Sequence, residues 1–216
     1  MKNAKIRLPM YFIGLFIMTI GIAISVKSDL GVSPVSSIPY TITCVWGIEM
    51  GKATILFHCA LVAVQIILMR RKFKIKNLLQ VVVGIIFGYF TTFCNYCVSF
   101  LPTTENLIIR LLMALFSAFL VAFGIFLYVP ADIMPLAGEG TIQAVSDITK
   151  LEFSKVKIAF DVTMVAISLT VCLLLLHRFG SVGIGTVISS VLVGLILGVI
   201  TRILGKWRDN LLNPTT

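Results

Sequence analysis

GIAISVKSDLGVSPVSSIPYTITCVWGIEMGKATILFHCALVA, residues 21–63, returns as GIFLYVPADIMPLAGEGTIQAVSDITKLEFSKVKIAFDVTMVA, residues 124–166, at a constant offset of 103 positions without a gap. Identical pairs include Gly21 with Gly124, Asp29 with Asp132, Glu49 with Glu152, Lys52 with Lys155, Phe57 with Phe160 and Ala63 with Ala166. Most other pairs exchange apolar for apolar, which hydrophobic bias alone can produce. The weight therefore rests on the Asp, Glu and Lys pairs, because charged residues are only 12% of the chain. A gapless repeat of this length reads as a duplicated membrane bundle. It divides the chain into a first repeat over residues 1–104 and a second over residues 105–216.

Working outward from the repeat, the composition names the solvent. Of 216 residues 58% are hydrophobic, and the mean hydropathy is +1.05. A soluble domain is about half apolar and about a quarter charged, so this is a polytopic membrane protein. The net charge of +9 invites a nucleic-acid reading, but the basic residues stand at the ends of apolar spans and read as topology determinants. No nucleic-acid partner is expected; the bilayer is. The N-terminal Lys2, Lys5 and Arg7 before an apolar run resemble a signal peptide, yet no small-residue cleavage site follows. That run is read as the first span.

Six stretches have the roughly 20 apolar residues a span requires: residues 8–27, 53–70, 77–99, 109–129, 158–177 and 180–203. Residues 31–47 and 134–148 are polar-flecked, interrupted by Gly and Pro, and too short to cross. If both re-enter the membrane and the N-terminus is cytoplasmic, then Lys2, Lys5, Arg7, the RRKFKIK cluster at 70–76, Lys150, Lys155, Lys157, Arg202, Lys206 and Arg208 all lie inside. If both cross, the RRKFKIK cluster or the two termini fall on the wrong side. The expected fold is therefore all-α, with six transmembrane helices plus two re-entrant broken segments. Three crossings per repeat is an odd number, so the repeats are inverted, about a pseudo-two-fold axis in the membrane plane. Gly84 and Gly88 in VVVGIIFG recur as Gly194 and Gly198 in VLVGLILG. Such small-xxx-small faces permit close helix approach, either within the chain or at a sliding or homodimer interface.

The sequence resembles the YczE/YyaS/YitT group of bacterial integral membrane proteins through LGVSPVSSIPY after the first span, the EMGK that follows, and GEGTIQAVS leading into FSKVKIAFD. The resemblance covers essentially the whole chain. It implies a multi-pass protein of the bacterial cytoplasmic membrane and carries over no catalytic residues.

Chemistry is expected where the backbone is broken, since non-helical backbone at membrane depth needs protein or water around it. Ser33, Pro34, Ser36 and Ser37 open the first short helix, and Gly138, Glu139, Gly140 and Thr141 the second. Tyr40 and Thr41 in the first, and Gln143 four residues after Glu139 in the second, could line the same cavity. Two helix N-termini converging near the midplane would make a polar spot of partial positive charge. Glu139, Asp147, Asp161 and His58 are the candidate proton-coupling groups, because ionisable residues inside membrane segments are costly. His58 and Asp161 occupy equivalent positions in the two repeats. Glu49 with Lys52, and Glu152 with Lys155, read as interfacial ion pairs or caps.

No enzyme signature appears: the sequence has no HExxH, GxSxG or Walker A loop and no paired His ligand set. Neither cofactor nor metal is expected, and Cys94 and Cys97 read as small buried hydrophobes. The functional expectation is a secondary transporter of a small polar solute, ion-coupled and working by alternating access. A channel or facilitator shares the six-span plan, although the paired NPA motifs of aquaporins are missing. An accessory or substrate-capture subunit is the third reading.

Overall fold

The computed structural model describes residues 4–212; Lys2, counted above among the inside charges, lies outside them. Every regular element in that range is helical. Six helices are long and apolar enough to cross a membrane, so the chain is a multi-pass membrane protein. The long helices are α1 (Ala4–Ser28), α3 (Met50–Met69), α4 (Leu79–Ser99), α5 (Leu107–Tyr128), α7 (Phe153–Leu176) and α8 (Ile184–Leu212). The two short ones, α2 (Pro34–Trp46) and α6 (Ala137–Thr149), have 13 residues each. At about 1.5 Å per residue each measures about 20 Å, against a hydrocarbon core of about 30 Å.

Local signals set the short helices. Pro34 occupies the first turn of α2, where its missing N–H costs nothing. Gly47 ends the helix in the left-handed region at φ 67°, its N–H donating to Thr43 O. At the matched end of α6, Lys150 takes the same conformation at φ 61° and donates to Ser146 O, although a side chain there is disfavoured. Glu49 and Glu152 precede α3 and α7 and pair with Lys52 at 3.8 Å and Lys155 at 3.4 Å.

The offset read from sequence recurs in the element boundaries. α2 and α6 begin at residues 34 and 137, and α3 and α7 at 50 and 153. It recurs in the contacts as well. A Cβ at Gly14 would stand 2.8 Å from Gly124 O, and one at Gly21 would stand 2.9 Å from Ser117 O. Adding 103 to one partner and subtracting it from the other turns the first pair into the second. Likewise Arg110 Nε donates to Ser28 O at 2.6 Å, and Arg7 Nη1 donates to Ala131 O at 3.2 Å. These pairs fix α1 and α5 as antiparallel neighbours along their whole length. Asp29 and Asp132 follow their helices with the same positive φ of 52°.

Packing around this central seam differs between the halves. α4 lies on α3 through Gly84, which faces His58, and Gly88, which faces Ile55. α8 lies on α5 and hardly touches α7; Gly194 and Gly198, the counterparts of Gly84 and Gly88, face open space.

Sequence reading set several span ends short, two of them by five residues or more. α7 begins at Phe153 rather than 158, and α8 runs to Leu212 rather than 203. An apolar window sees only the part of a helix that meets hydrocarbon, whereas the helix continues into the interface. There the Arg208 guanidinium sits 4.6 Å from the centre of the Phe126 ring, and it also binds Asp209 at 2.8 Å.

Candidate functional site

The two short helices meet N-terminus to N-terminus. A Cβ on Gly138 would lie 3.5 Å from Val35 Cγ1, and Val35 and Gly138 are themselves 103 positions apart. The meeting point is apolar: Ala137 is buried in a cluster with Leu61 and Met164, on which Val35 and Ile38 pack. A polar spot was expected here, but the residues facing one another across the junction are aliphatic, so the polar groups open to either side.

On the first side Ser33 Oγ donates to Ser36 Oγ at 3.1 Å. Ser37 is fully buried and donates to Pro34 O at 2.6 Å while accepting from Ser168 Oγ at 2.9 Å. Thr41 and Ser181 share a 2.6 Å bond. The loop before α2 is clamped to the α7–α8 connection, with Val32 N donating to Ser181 O at 3.2 Å and Gly185 N donating to Leu30 O at 2.6 Å. Only a crevice of about 10 Å³ remains, beside Ser25, Ser33 and Ser189. Tyr40 is half-buried, packs on the core cluster that contains Met50, and is not among the residues lining this crevice.

On the second side a cavity of about 290 Å³ is lined by Tyr128, Val129, Asp132, Ile133, Met134, Pro135, Glu139, Gln143 and Phe153. The loop before α6 is held from beneath by Tyr11 Oη, which donates to Met134 O at 2.6 Å. Among the described residues, no backbone bond ties this loop to the α3–α4 connection. Glu139 stands in the first turn of α6, where the helix N-terminus favours a carboxylate. It makes no ion pair among the described residues. The Tyr128 hydroxyl lies next to it and interacts with its carboxyl, short of full hydrogen-bond geometry, and Tyr128 is 2% exposed. Lys157 and Asp161 of α7 are within electrostatic reach of Glu139, and they pair with each other at 2.8 Å. Gln143 Nε2 donates to Asp147 Oδ1 at 2.9 Å on the exposed face of α6.

Behind Glu139 lies a buried polar knot. Gln65 Nε2 donates to Gln80 Oε1 at 2.8 Å and reaches Ala137 O at 3.2 Å and Thr141 Oγ1 at 3.3 Å. Gly140 makes the space for it, since a Cβ there would stand 2.6 Å from both terminal atoms of Gln80.

Glu139, Gly140, Thr141 and Gln143 are thus gathered at one place, whereas Ser33, Pro34, Ser36 and Ser37 form a separate, sealed cluster beyond the junction. His58 is buried against Phe87, with ring centroids 5.7 Å apart. It shares no hydrogen bond or ion pair with Asp161. Sequence reading passed over Tyr128, Phe153, Gln65 and Gln80. The two glutamines carried a usable signal as amides inside apolar spans, and Arg7 with Arg110 fall at the repeat offset just outside the aligned stretch. No three His, Cys, Asp or Glu side chains among the described residues cluster as metal ligands.

Comparison with known proteins agrees with a membrane assignment and supplies no activity. The chain is 25% identical over 197 residues to "Uncharacterized membrane protein YczE" of Bacillus subtilis (strain 168), which covers 91% of this chain and 86% of the relative. No solved structure matches. The model of the family of unknown function DUF6198 matches residues 5–202, and the chain belongs to that family.

Proposed function

We propose that the chain is a secondary transporter rather than an enzyme, built of two inverted three-span repeats that exchange conformations. The repeats divide near residues 104 and 105, and α2 and α6 are the re-entrant segments. What supports inversion is that equal offsets relate antiparallel partners: Gly14 with Gly124 answers to Gly21 with Ser117, and Arg7 with Ala131 answers to Arg110 with Ser28. Sorting of basic residues favours a cytoplasmic end carrying Arg7, residues 70–76, Lys150 and Arg208, in a bacterial cell membrane.

The observation that carries transport is the unequal state of two matched halves. The first half is closed: α4 lies on α3, while the loop before α2 is clamped and leaves a water-sized crevice. The second is open: α8 stands off α7, and a cavity lies beside the equivalent loop. Two copies of one structure in two conformations describe two states of a machine, and exchanging them reverses which side is open. In this reading the cavity faces the cytoplasm and the solute is carried from or to it. Glu139 takes the coupling role. Asp147 holds Gln143, Asp161 holds Lys157 and His58 is stacked under Gly84, leaving the Glu139 carboxyl as the acid free to exchange a proton for a solute.

The exchanged state has defined contacts. Ile55 against Gly88 predicts Ile158 against Gly198, and His58 against Gly84 predicts Asp161 against Gly194. A disulfide between cysteines at Ile158 and Gly198, in a background without the five native cysteines, is expected to form within one chain. It should trap the opposite state: a third cysteine at the sealed Ser36 then becomes reactive to a small thiol reagent, and one at the equivalent Glu139 becomes protected. Failure of the bond to form within the chain, or labelling at both positions that the bond leaves unchanged, would rule out the exchange.

A further inference from the structure

We propose that the cavity beside Glu139 binds a small organic cation, specifically a protonated amine with a short apolar body. The inference rests on the transporter reading for its purpose and on the cavity alone for its chemistry. Asp132 and Glu139 are the two carboxylic acids among the lining residues, and none of the lining residues is basic. That is a local reversal in a chain of net charge +9.

The cations nearest the site are already engaged. Lys157 is held by Asp161 at 2.8 Å, and Arg7 donates to Ala131 O. An anionic solute would meet Glu139 where it already occupies the favourable end of α6, so the helix terminus attracts no second carboxylate or phosphate. A cation meets the opposite situation. Glu139 makes no ion pair among the described residues, and two of the lining residues, Tyr128 and Phe153, are aromatic, the kind of side chain that attracts an ammonium group.

The Tyr128 hydroxyl chooses between kinds of cation. It is buried beside Glu139 and interacts with that carboxyl, short of full hydrogen-bond geometry. A protonated amine can donate N–H to it and to the carboxylate together, whereas a quaternary ammonium has no proton to give. The remaining lining, Val129, Ile133, Met134 and Pro135, is apolar and suits a short hydrocarbon body. At about 290 Å³ the volume lies at the small end of ligand cavities, which start near about 300 Å³.

The test uses the purified full-length protein in detergent, with n-butylammonium, tetramethylammonium and butyrate as probes, read by calorimetric titration. n-Butylammonium is expected to bind, tetramethylammonium at least tenfold more weakly, and butyrate not measurably. Glu139→Gln should weaken butylammonium at least tenfold, and Tyr128→Phe should remove most of the preference over tetramethylammonium. Should Glu139→Gln fail to fold, Asp132→Asn at the exposed rim is expected to weaken binding about threefold. Binding of butyrate in preference to butylammonium would overturn the proposal. So would butylammonium affinity left unchanged by both acidic substitutions. Amine binding without the exchange of thiol reactivity would refute transport and leave this site standing; exchange without amine binding would refute the site and leave transport standing.

Discussion

Leucine at Gly14 and leucine at Gly21 are expected to destabilise the protein by similar and large amounts. Each added side chain would be driven into the backbone of α5: a Cβ alone at Gly14 stands 2.7 Å from Tyr128 N, and one at Gly21 stands 2.9 Å from Ser117 O. Overpacking costs about 1–3 kcal/mol where neighbours can shift, and backbone shifts least, so the upper end applies to both. The check is a denaturation series in detergent. Gly194→Leu and Gly198→Leu are the internal comparison, since a Cβ at either meets nothing within 4 Å, and surface changes of that kind stay within about 0.5 kcal/mol. If the α7–α8 face closes in the exchanged state, Gly198→Leu should spare stability while preventing Ser36 from ever becoming accessible. Unequal losses at Gly14 and Gly21, or a large loss at Gly194, would contradict the packing.

Gly140→Leu is the second large effect. Its side chain would displace Gln80 from Gln65, and a buried amide left without its partner costs about 1–3 kcal/mol, in addition to the overpacking. The expected outcome is poor recovery of folded protein and, in what does fold, loss of ligand binding at the adjoining Glu139. Gly138→Leu separates the two causes. A Cβ there is in ordinary contact with Val35, so the protein should fold and suffer mainly in movement of the two short helices against each other. Stability of Gly140→Leu equal to that of the unaltered protein would show that the Gln65–Gln80 knot does not need the glycine.

Much of this architecture was legible beforehand because membrane folds write their plan in few symbols. The Asp, Glu and Lys pairs, such as Asp29 with Asp132 and Glu49 with Glu152, were enough to set the offset, and α2 with α6 and α3 with α7 start at that same spacing. The limits were physical too. Hydropathy ends where hydrocarbon ends, so the polar last turns of α8 went unread. Ser33 to Ser37 and Gly138 to Thr141 look equivalent in sequence, and nothing in that likeness says that one cluster is clamped shut by Ser181 and Gly185 while the other opens beside Tyr128. The difference lies in tertiary placement of α8, which an amphipathic pattern cannot record when both faces of the helix are apolar. Tyr128 itself sits in an aliphatic run, where its hydroxyl gives no local pattern to notice.

Inversion of the two repeats is the claim on which the exchange between closed and open halves rests, and the pairs Glu49 with Lys52 and Glu152 with Lys155 mark equivalent places to test it. Single cysteines at Glu49 and at Glu152, in a background lacking the five native cysteines, are to be labelled with a membrane-impermeant thiol reagent in intact cells and in inverted vesicles. The account predicts that Cys at Glu49 reacts only from the outer face and Cys at Glu152 only from the cytoplasmic face; reaction of both from one face would mean parallel repeats and would contradict it.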